Sequence, residues 1–420
     1  MNSIKIEHED FINPLLSIVI PTRNRFKYVK STILSILSFE SSKFELVIQD
    51  NSDSDELMLW ISKTIDDTRL NYNYVSSHLS FVGNFDNAVS LATGDYVCLI
   101  GDDDGLNCEI ICVVEWMSSL NIDSLSTRIS ANYVWENSGV PATKFTKVTG
   151  GVLSLAKIDF HLVQSNLEEQ LGLFFMNGCN DYLKFGLPKL YQGIVKKECL
   201  EKVKEITGNY FGGLSPDIYA SITISLVAQK VYVTNYPLII SGVCGESASI
   251  IEGLLKKNSK RVEDAPHLRN RGKYEWCNIV PYVYTVETIW ADSAIAAIKA
   301  MDAERFMSKF NIAKLSAYCI HYNKGIDQQV MQNLSKGLET LNRNRIAGYF
   351  DFYFTLARLN TQKIFHLFFR IYNRILIMLK LKEIVRFEGV NDIEFASNTL
   401  SNYLTRNNIN FSKTNYKEIL

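Results

Sequence analysis

Asp102, Asp103 and Asp104 stand in a row directly after the apolar run 96–100 and Gly101. Three adjacent carboxylates at the end of a buried strand repel one another, and a divalent cation is the simplest remedy. Hard oxygen ligands suit magnesium or manganese, which keep several waters and complete their shell from a diphosphate. The chemistry this points to is the binding and release of a nucleoside diphosphate. The plainer alternative is a solvated acidic turn, and the place directly after a buried strand favours a site.

Other clusters could join these acids. Pro21, Thr22, Arg23, Asn24 and Arg25 combine a rigid stop, hydrogen-bonding side chains and two cations, which suits a nucleotide pocket. Asp50, at the head of Asp50-Asn51-Ser52-Asp53, could hydrogen-bond a base or ribose, although such residues also make ordinary turns. Asp217 follows Ser215 and Pro216 after a glycine-rich loop. There it could take a proton from a sugar hydroxyl, or simply complement a helix dipole. Cys108 and Cys112 lie one helical turn apart, but no second Cys or His pair follows at ligand spacing, so buried free thiols are expected.

The elements that must position these groups follow from periodicity. Residues 16–20 form a strand stopped by Pro21, and residues 26–37 form a helix. Residues 45–49 form a strand, followed by a helix from about Ser54 for which Ser52 or Asp53 can supply the cap. Residues 71–75 are strand-like, 84–92 helical, and 96–100 a buried strand. Alternating strands and helices call for a parallel sheet with helices on its faces. Most of the polar clusters then lie just beyond strand carboxyl ends, where ligands bind in open α/β sheets. Further on, 107–119 is helical, 190–195 a strand, and a helix opens at Ser215-Pro216-Asp217 with Ser as cap and Pro in the first turn. Strands are expected at 231–234 and 238–241. From about Lys256 the pattern is mainly helical and carries no cluster of this kind.

Taken in order, these clusters resemble glycosyltransferase family 2, the inverting GT-A enzymes that transfer sugar from a nucleotide-sugar donor. The resemblance is carried by residues 16–25, by 47–54, by Gly83-Asn84 with Asn87, and by Gly94-Asp95-Tyr96 through Asp104. It covers residues 15–120 closely and extends loosely to about 245. It implies an α/β GT-A fold with a Rossmann-like, mostly parallel sheet. It also implies that Pro21, Thr22, Arg23, Arg25 and Asn84 line the nucleotide-sugar pocket and that Asp50 contacts the base. Asp102 and Asp103 would approach ribose and diphosphate, and Asp104 would be the main ligand of Mn2+ or Mg2+. The family's base usually stands in an acidic pair late in the domain; here Asp217 occupies the matching place, with Glu246 in reserve. UDP-sugars are the expected donors.

Composition narrows the rest. With 44 Lys and Arg against 45 Asp and Glu, the chain has no global field to draw it to nucleic acid. Eight scattered cysteines without a Cys-x-x-Cys pair, and no signal segment, point to the cytoplasm. No stretch is long and apolar enough to span a bilayer. Residues 363–387 mix apolar and basic residues and could lie on the cytosolic face of the inner membrane, or pack on their own domain. The expected organisation is an extension at 1–14, a catalytic domain at 15–250 and a mainly helical region at 251–420. The expected activity is metal-dependent, inverting sugar transfer to a glycan or lipid-linked acceptor in surface polysaccharide synthesis, O-antigen or capsule. The rivals are a nucleotidyltransferase, for which residues 21–25 lack a glycine-rich, lysine-bearing phosphate loop, and a catalytically degenerate scaffold.

Overall fold

The computed structural model describes residues 4–6, 14–76, 78–128, 131–136, 138, 150–156, 158, 162–245, 261–378 and 385–411. In chain order it runs β1 (Ile4–Ile6), β2 (Leu16–Thr22), α1 (Phe26–Leu37), β3 (Phe44–Asp50), α2 (Glu56–Thr64), β4 (Leu70–Tyr74), α3 (Phe81–Ser90), β5 (Tyr96–Leu99), β6 (Gly105–Leu106) and α4 (Ile110–Ser119). There follow β7 (Ser124–Thr127), β8 (Ala131–Val134), β9 (Val152–Leu155), β10 (Leu162–Gln164), α5 (Leu167–Met176), β11 (Gly193–Lys196), α6 (Lys197–Thr207), α7 (Pro216–Ser225), β12 (Val231–Thr234) and β13 (Ile239–Val243). The remainder is α8 (Val286–Ala300), α9 (Ile312–Tyr322), α10 (Asp327–Thr340), α11 (Arg345–Met378), β14 (Val385–Glu388) and α12 (Ile393–Arg406).

The strands β2 and β3 are buried along their whole length, as central strands are when helices cover both sheet faces. Glu45, inside β3, is tolerated because its carboxylate accepts from the hydroxyls of Ser17 and Thr93 and from the Thr93 amide. The main sheet has the order β1-β4-β3-β2-β5-β11-β7-β12-β10. Its centre, β4-β3-β2-β5, is parallel, while β11 runs antiparallel to both neighbours. The sheet is therefore α/β in type, as expected for GT-A, but mixed outside its parallel centre. From β2 the chain winds outward to β3 and β4, then returns to place β5 on the other flank of β2. That reversal makes a crevice at the carboxyl ends of β2 and β5.

A second sheet, β14-β9-β8-β13-β6, closes over one side of this crevice. In it β13 pairs antiparallel with β6, Ile240 opposite Gly105, so the residue following Asp104 is strapped in place. One core joins the main sheet to α1, α2 and α4 through Ile18, Ile20, Val29, Ile33, Ile48 and Val114. It also takes in Ile393, Leu400, Leu404 and Phe411, so the chain's last described segment returns to the N-terminal body. A second core is built by α5, α7, α8, α9 and α10, with Phe174, Ile218, Ile295, Phe306 and Leu315.

Three local expectations change. The helix α2 begins at Glu56, and neither Ser52 nor Asp53 caps it. The Ser52 hydroxyl accepts from the Asn24 amide, and Asp53 accepts from the side chains of Arg23 and Asn24. Likewise Ser215 makes no side-chain cap to α7. Cys108 and Cys112 are exposed, not buried, because they sit on the outer face of the turn and first helical residues of the α4 region.

Candidate active site

The crevice between β2 and β5 brings the basic turn and the acidic triplet together. The Thr22 hydroxyl donates to Asp102 Oδ2 at 2.7 Å. Arg25 then bridges two acids, Nη1 to Asp102 Oδ1 at 2.9 Å and Nη2 to Asp103 Oδ2 at 3.0 Å. The same guanidinium donates to Cys244 Sγ and lies 5.4 Å from the centre of the Tyr28 ring. Burial opposes the Arg25 charge, but Asp102, Asp103 and Cys244 outweigh it and raise its pKa. Thr32 on α1 donates from one hydroxyl toward the carbonyls of Asp102 and Asp104, and the Trp135 indole donates to the Asp103 carbonyl at 2.9 Å. The acidic loop is thus held from behind through its backbone as well as through its side chains.

Asp104 is handled differently. Its Oδ2 accepts from the Gly101 amide at 2.8 Å, the Gln192 side chain at 3.0 Å and the Tyr191 hydroxyl at 3.2 Å. Its Oδ1 accepts from the Gly242 amide at 2.8 Å. The carboxylate expected to ligate metal has donors on both oxygens and ties together three segments distant in sequence. Burial pushes Asp104 up, with the Asp103 charge adding and its hydrogen bonds opposing. Burial pushes Asp102 up too, against the pull of Arg25. One guanidinium facing three buried acids leaves the cluster short of positive charge.

The nucleotide-pocket candidates fall around this centre. Pro21 and Thr22 end β2 in register with Gln49 and Asp50 of β3. Asp50 accepts from the Tyr72 hydroxyl at 2.8 Å and the Ser52 amide at 2.9 Å, and burial outweighs those bonds to raise its pKa. Asn84 on α3 donates to the Thr22 carbonyl at 3.3 Å, while its Oδ1 is buried with no hydrogen-bond partner. Arg23 turns away from the acids to pair with Asp53 at 3.0 Å. Asp217, in the first turn of α7, is half-buried. The Tyr191 phenol is raised by burial and by the charges of Asp104, Asp103, Asp217 and Asp102. Glu246 lies outside the described residues.

Sequence reasoning missed Tyr191, Gln192, Thr32, Trp135, Gly242 and Cys244. Gln192 has φ of +57°, an uncommon conformation for a residue with a Cβ. That kink delays the strand expected from residue 190 to Gly193 and turns the Gln192 amide toward Asp104. A Gln-Gly pair inside an apparent strand was the available signal, and it is a weak one.

Residues 17–111 match the family model Glycosyl transferase family 2, so it is in this segment that the chain is similar to that family. Among curated proteins, the segment is 37% identical over 95 residues to WcaA of Escherichia coli, by name a colanic acid biosynthesis glycosyl transferase, covering 22% of this chain and 33% of that one. It is 34% identical over 109 residues to the abequosyltransferase RfbV of Salmonella typhimurium, covering 24% and 32%. The chain thus spans about a third of the length of the curated relatives it matches. A crystal structure of Staphylococcus aureus TarS 1-349 with UDP-GlcNAc superposes with a TM-score of 0.43 at 15% identity, over 79% of this chain and 93% of that one. A score that low bears on neither chemistry nor ligand.

Proposed function

We propose that this chain is an inverting glycosyltransferase that moves a sugar from a nucleotide-sugar, a UDP-sugar by preference, to an acceptor hydroxyl in bacterial surface polysaccharide synthesis. The reading rests on one observation above the rest: Thr22, Arg25, Asp102 and Asp103 form a charged cluster at the sheet's switch point, where ligands bind in such sheets. Thr22, Arg25, Asp50 and Asn84 would receive the nucleotide. The Asp217 carboxylate would take the acceptor's proton while the acceptor oxygen bonds to the anomeric carbon. The bond from that carbon to the diphosphate oxygen breaks with its electron pair leaving on the diphosphate, and configuration inverts.

A divalent cation fits the charge of the cluster, since three buried acids face one guanidinium. It does not need a full protein cage: among the described residues no three acidic, His or Cys side chains converge as one, and such ions take much of their shell from water and phosphate. Asp102 and Asp103 would hold it, because the oxygens of Asp104 already carry four donors. When bound, such an ion neutralises charge growing on the leaving diphosphate. The acceptor is carried by a glycan or a lipid-linked glycan at the cytosolic face of the inner membrane, in O-antigen or capsule assembly.

The test is Asp217→Asn, which keeps shape and removes the proton acceptor. It should melt near the wild type and bind donor normally, yet transfer sugar at least about a hundredfold more slowly. Near-normal transfer would move the base elsewhere, with Glu246 next. A binding screen of UDP-, GDP- and dTDP-sugars with and without manganese identifies the donor.

A further inference from the structure

The helix α11 is two helices in one. Its first half packs on α9, burying Phe352, Thr355 and Leu359. Its single acid, Asp351, accepts from Asn311 at 2.6 Å and from Thr355 at 3.3 Å, and so is spent internally. From Asn360 onward every side chain described on the helix is exposed. Ile364, Phe365, Phe368, Phe369, Ile371 and Tyr372 stand in solvent, continuing a row begun by Ile346, Phe350, Tyr353 and Phe354. At 100° per residue these ten positions fall within an arc of roughly 160°, on the side away from α9. Isolated exposed apolar residues need no explanation, but ten on one side of one helix, in the two groups 346–354 and 364–372, mark an interaction surface.

Charge selects the occupant. Between residues 352 and 382 the sequence holds six Lys and Arg (Arg358, Lys363, Arg370, Arg374, Lys380, Lys382) and no Asp or Glu. A second copy laid along the apolar arc would set two acid-free basic helices side by side, with no carboxylate of either stretch to offset the repulsion. A bilayer with anionic headgroups meets both features, aromatic and aliphatic groups entering the acyl boundary and the bases meeting the phosphates. The helix lies on the surface and does not cross it, since among the described residues no helix is long and apolar enough to span a membrane.

We infer that the outward face of α11, from Tyr353 to Tyr372, is a docking element for an anionic lipid surface. The inference stands on α11 alone. It deepens the functional reading only by saying where a lipid-borne acceptor would be met.

Flotation of the full chain with phosphatidylcholine vesicles, with and without phosphatidylglycerol, tests it. The wild type should partition at least about tenfold more strongly onto the anionic vesicles at low salt, and lose most of that at 0.5 M salt, where the Debye length shrinks to a few ångströms. The variant Phe365→Ser/Phe368→Ser/Tyr372→Ser and the variant Lys363→Glu/Arg370→Glu/Arg374→Glu should each bind at least about tenfold less. Both should keep the wild-type Tm and donor affinity, because Lys363, Phe365, Phe368 and Tyr372 are exposed and none of the six positions belongs to the acidic site. Absence of wild-type binding, or full binding by the apolar variant, overturns the proposal. So does conversion of a wild-type dimer to monomer by the same substitutions with vesicle binding unchanged. Vesicle binding without any sugar transfer would leave the docking element standing and sink the transferase reading.

Discussion

Asp104 shows how one residue type serves two purposes within three positions. Asp102 and Asp103 face the Arg25 guanidinium, whereas Asp104 accepts from two backbone amides, an amide side chain and a phenol. Asp104→Ala should therefore act first on stability. It strands four buried donors, each costing roughly 1–3 kcal/mol when unpaired, so a pronounced drop in Tm is expected, with Asp104→Asn intermediate; an unchanged Tm would return Asp104 to a purely chemical role. His267 offers a separate residue-scale test. Burial, then the neighbouring Arg271 charge, lowers its pKa to about 4 from 6.5, while its ring meets the Tyr284 hydroxyl and the edge of Phe81. The unfolded chain takes up this proton first as pH falls. Stability from the neutral ring is thus present above about 6.5 and lost between about 6.5 and 4. The Tm advantage of wild type over His267→Gln should shrink across that range, and a constant difference would show that the fold does not lower the ring's pKa.

Among the elements, β13 does most to shape the crevice, although its sequence reads only as a short apolar strand. It pairs with β6 immediately after Asp104 and brings Gly242 so close that a Cβ there would meet the Asp103 carbonyl at 1.9 Å. The carbonyl is backbone and cannot swing aside, so the position needs glycine for close approach. Gly242→Ala should push β13 off the acidic loop, lowering Tm and weakening donor binding together in a titration with nucleotide. Retained affinity would mean that the loop keeps its shape without the strap. The adjoining turn before β11 works in the same way, because the left-handed Gln192 aims a side chain that a regular strand would have pointed elsewhere.

At the scale of the whole molecule, the last described segment belongs with the first. The strand β14 pairs with β9, Val385 opposite Leu155 through Glu388 opposite Val152. On α12, Ile393, Leu400 and Leu404 are buried against the core that holds β2 and α1. Ile393 also lies directly over Gly105, where a Cβ would stand 2.7 Å from it. Leu400→Ala should cost roughly 2–5 kcal/mol, and removing residues 385–420 should abolish cooperative melting of the N-terminal body. A truncated chain that melts like the full one would show that the two ends fold independently.

The local periodicities of residues 16–106 determine, by themselves, a parallel α/β centre with polar clusters at strand ends: β2 and β3 must be buried on both faces because every residue in them is apolar or can be satisfied. That reasoning placed Thr22, Arg25, Asp50 and Asp102 to Asp104 at one crevice, since each cluster directly follows a strand and the alternation of strands and helices dictates parallel order. What it could not contain is contact across long sequence separations. The pairing of Arg25 with Asp102 and Asp103, the four donors around Asp104 drawn from residues 101, 191, 192 and 242, and the return of α12 beneath the acidic loop leave no period in the sequence. Tertiary packing alone decides which acid faces an arginine and which is consumed in holding the loop, because a carboxylate's role is set by the donors that reach it, and here those donors come from chain segments up to 138 residues away.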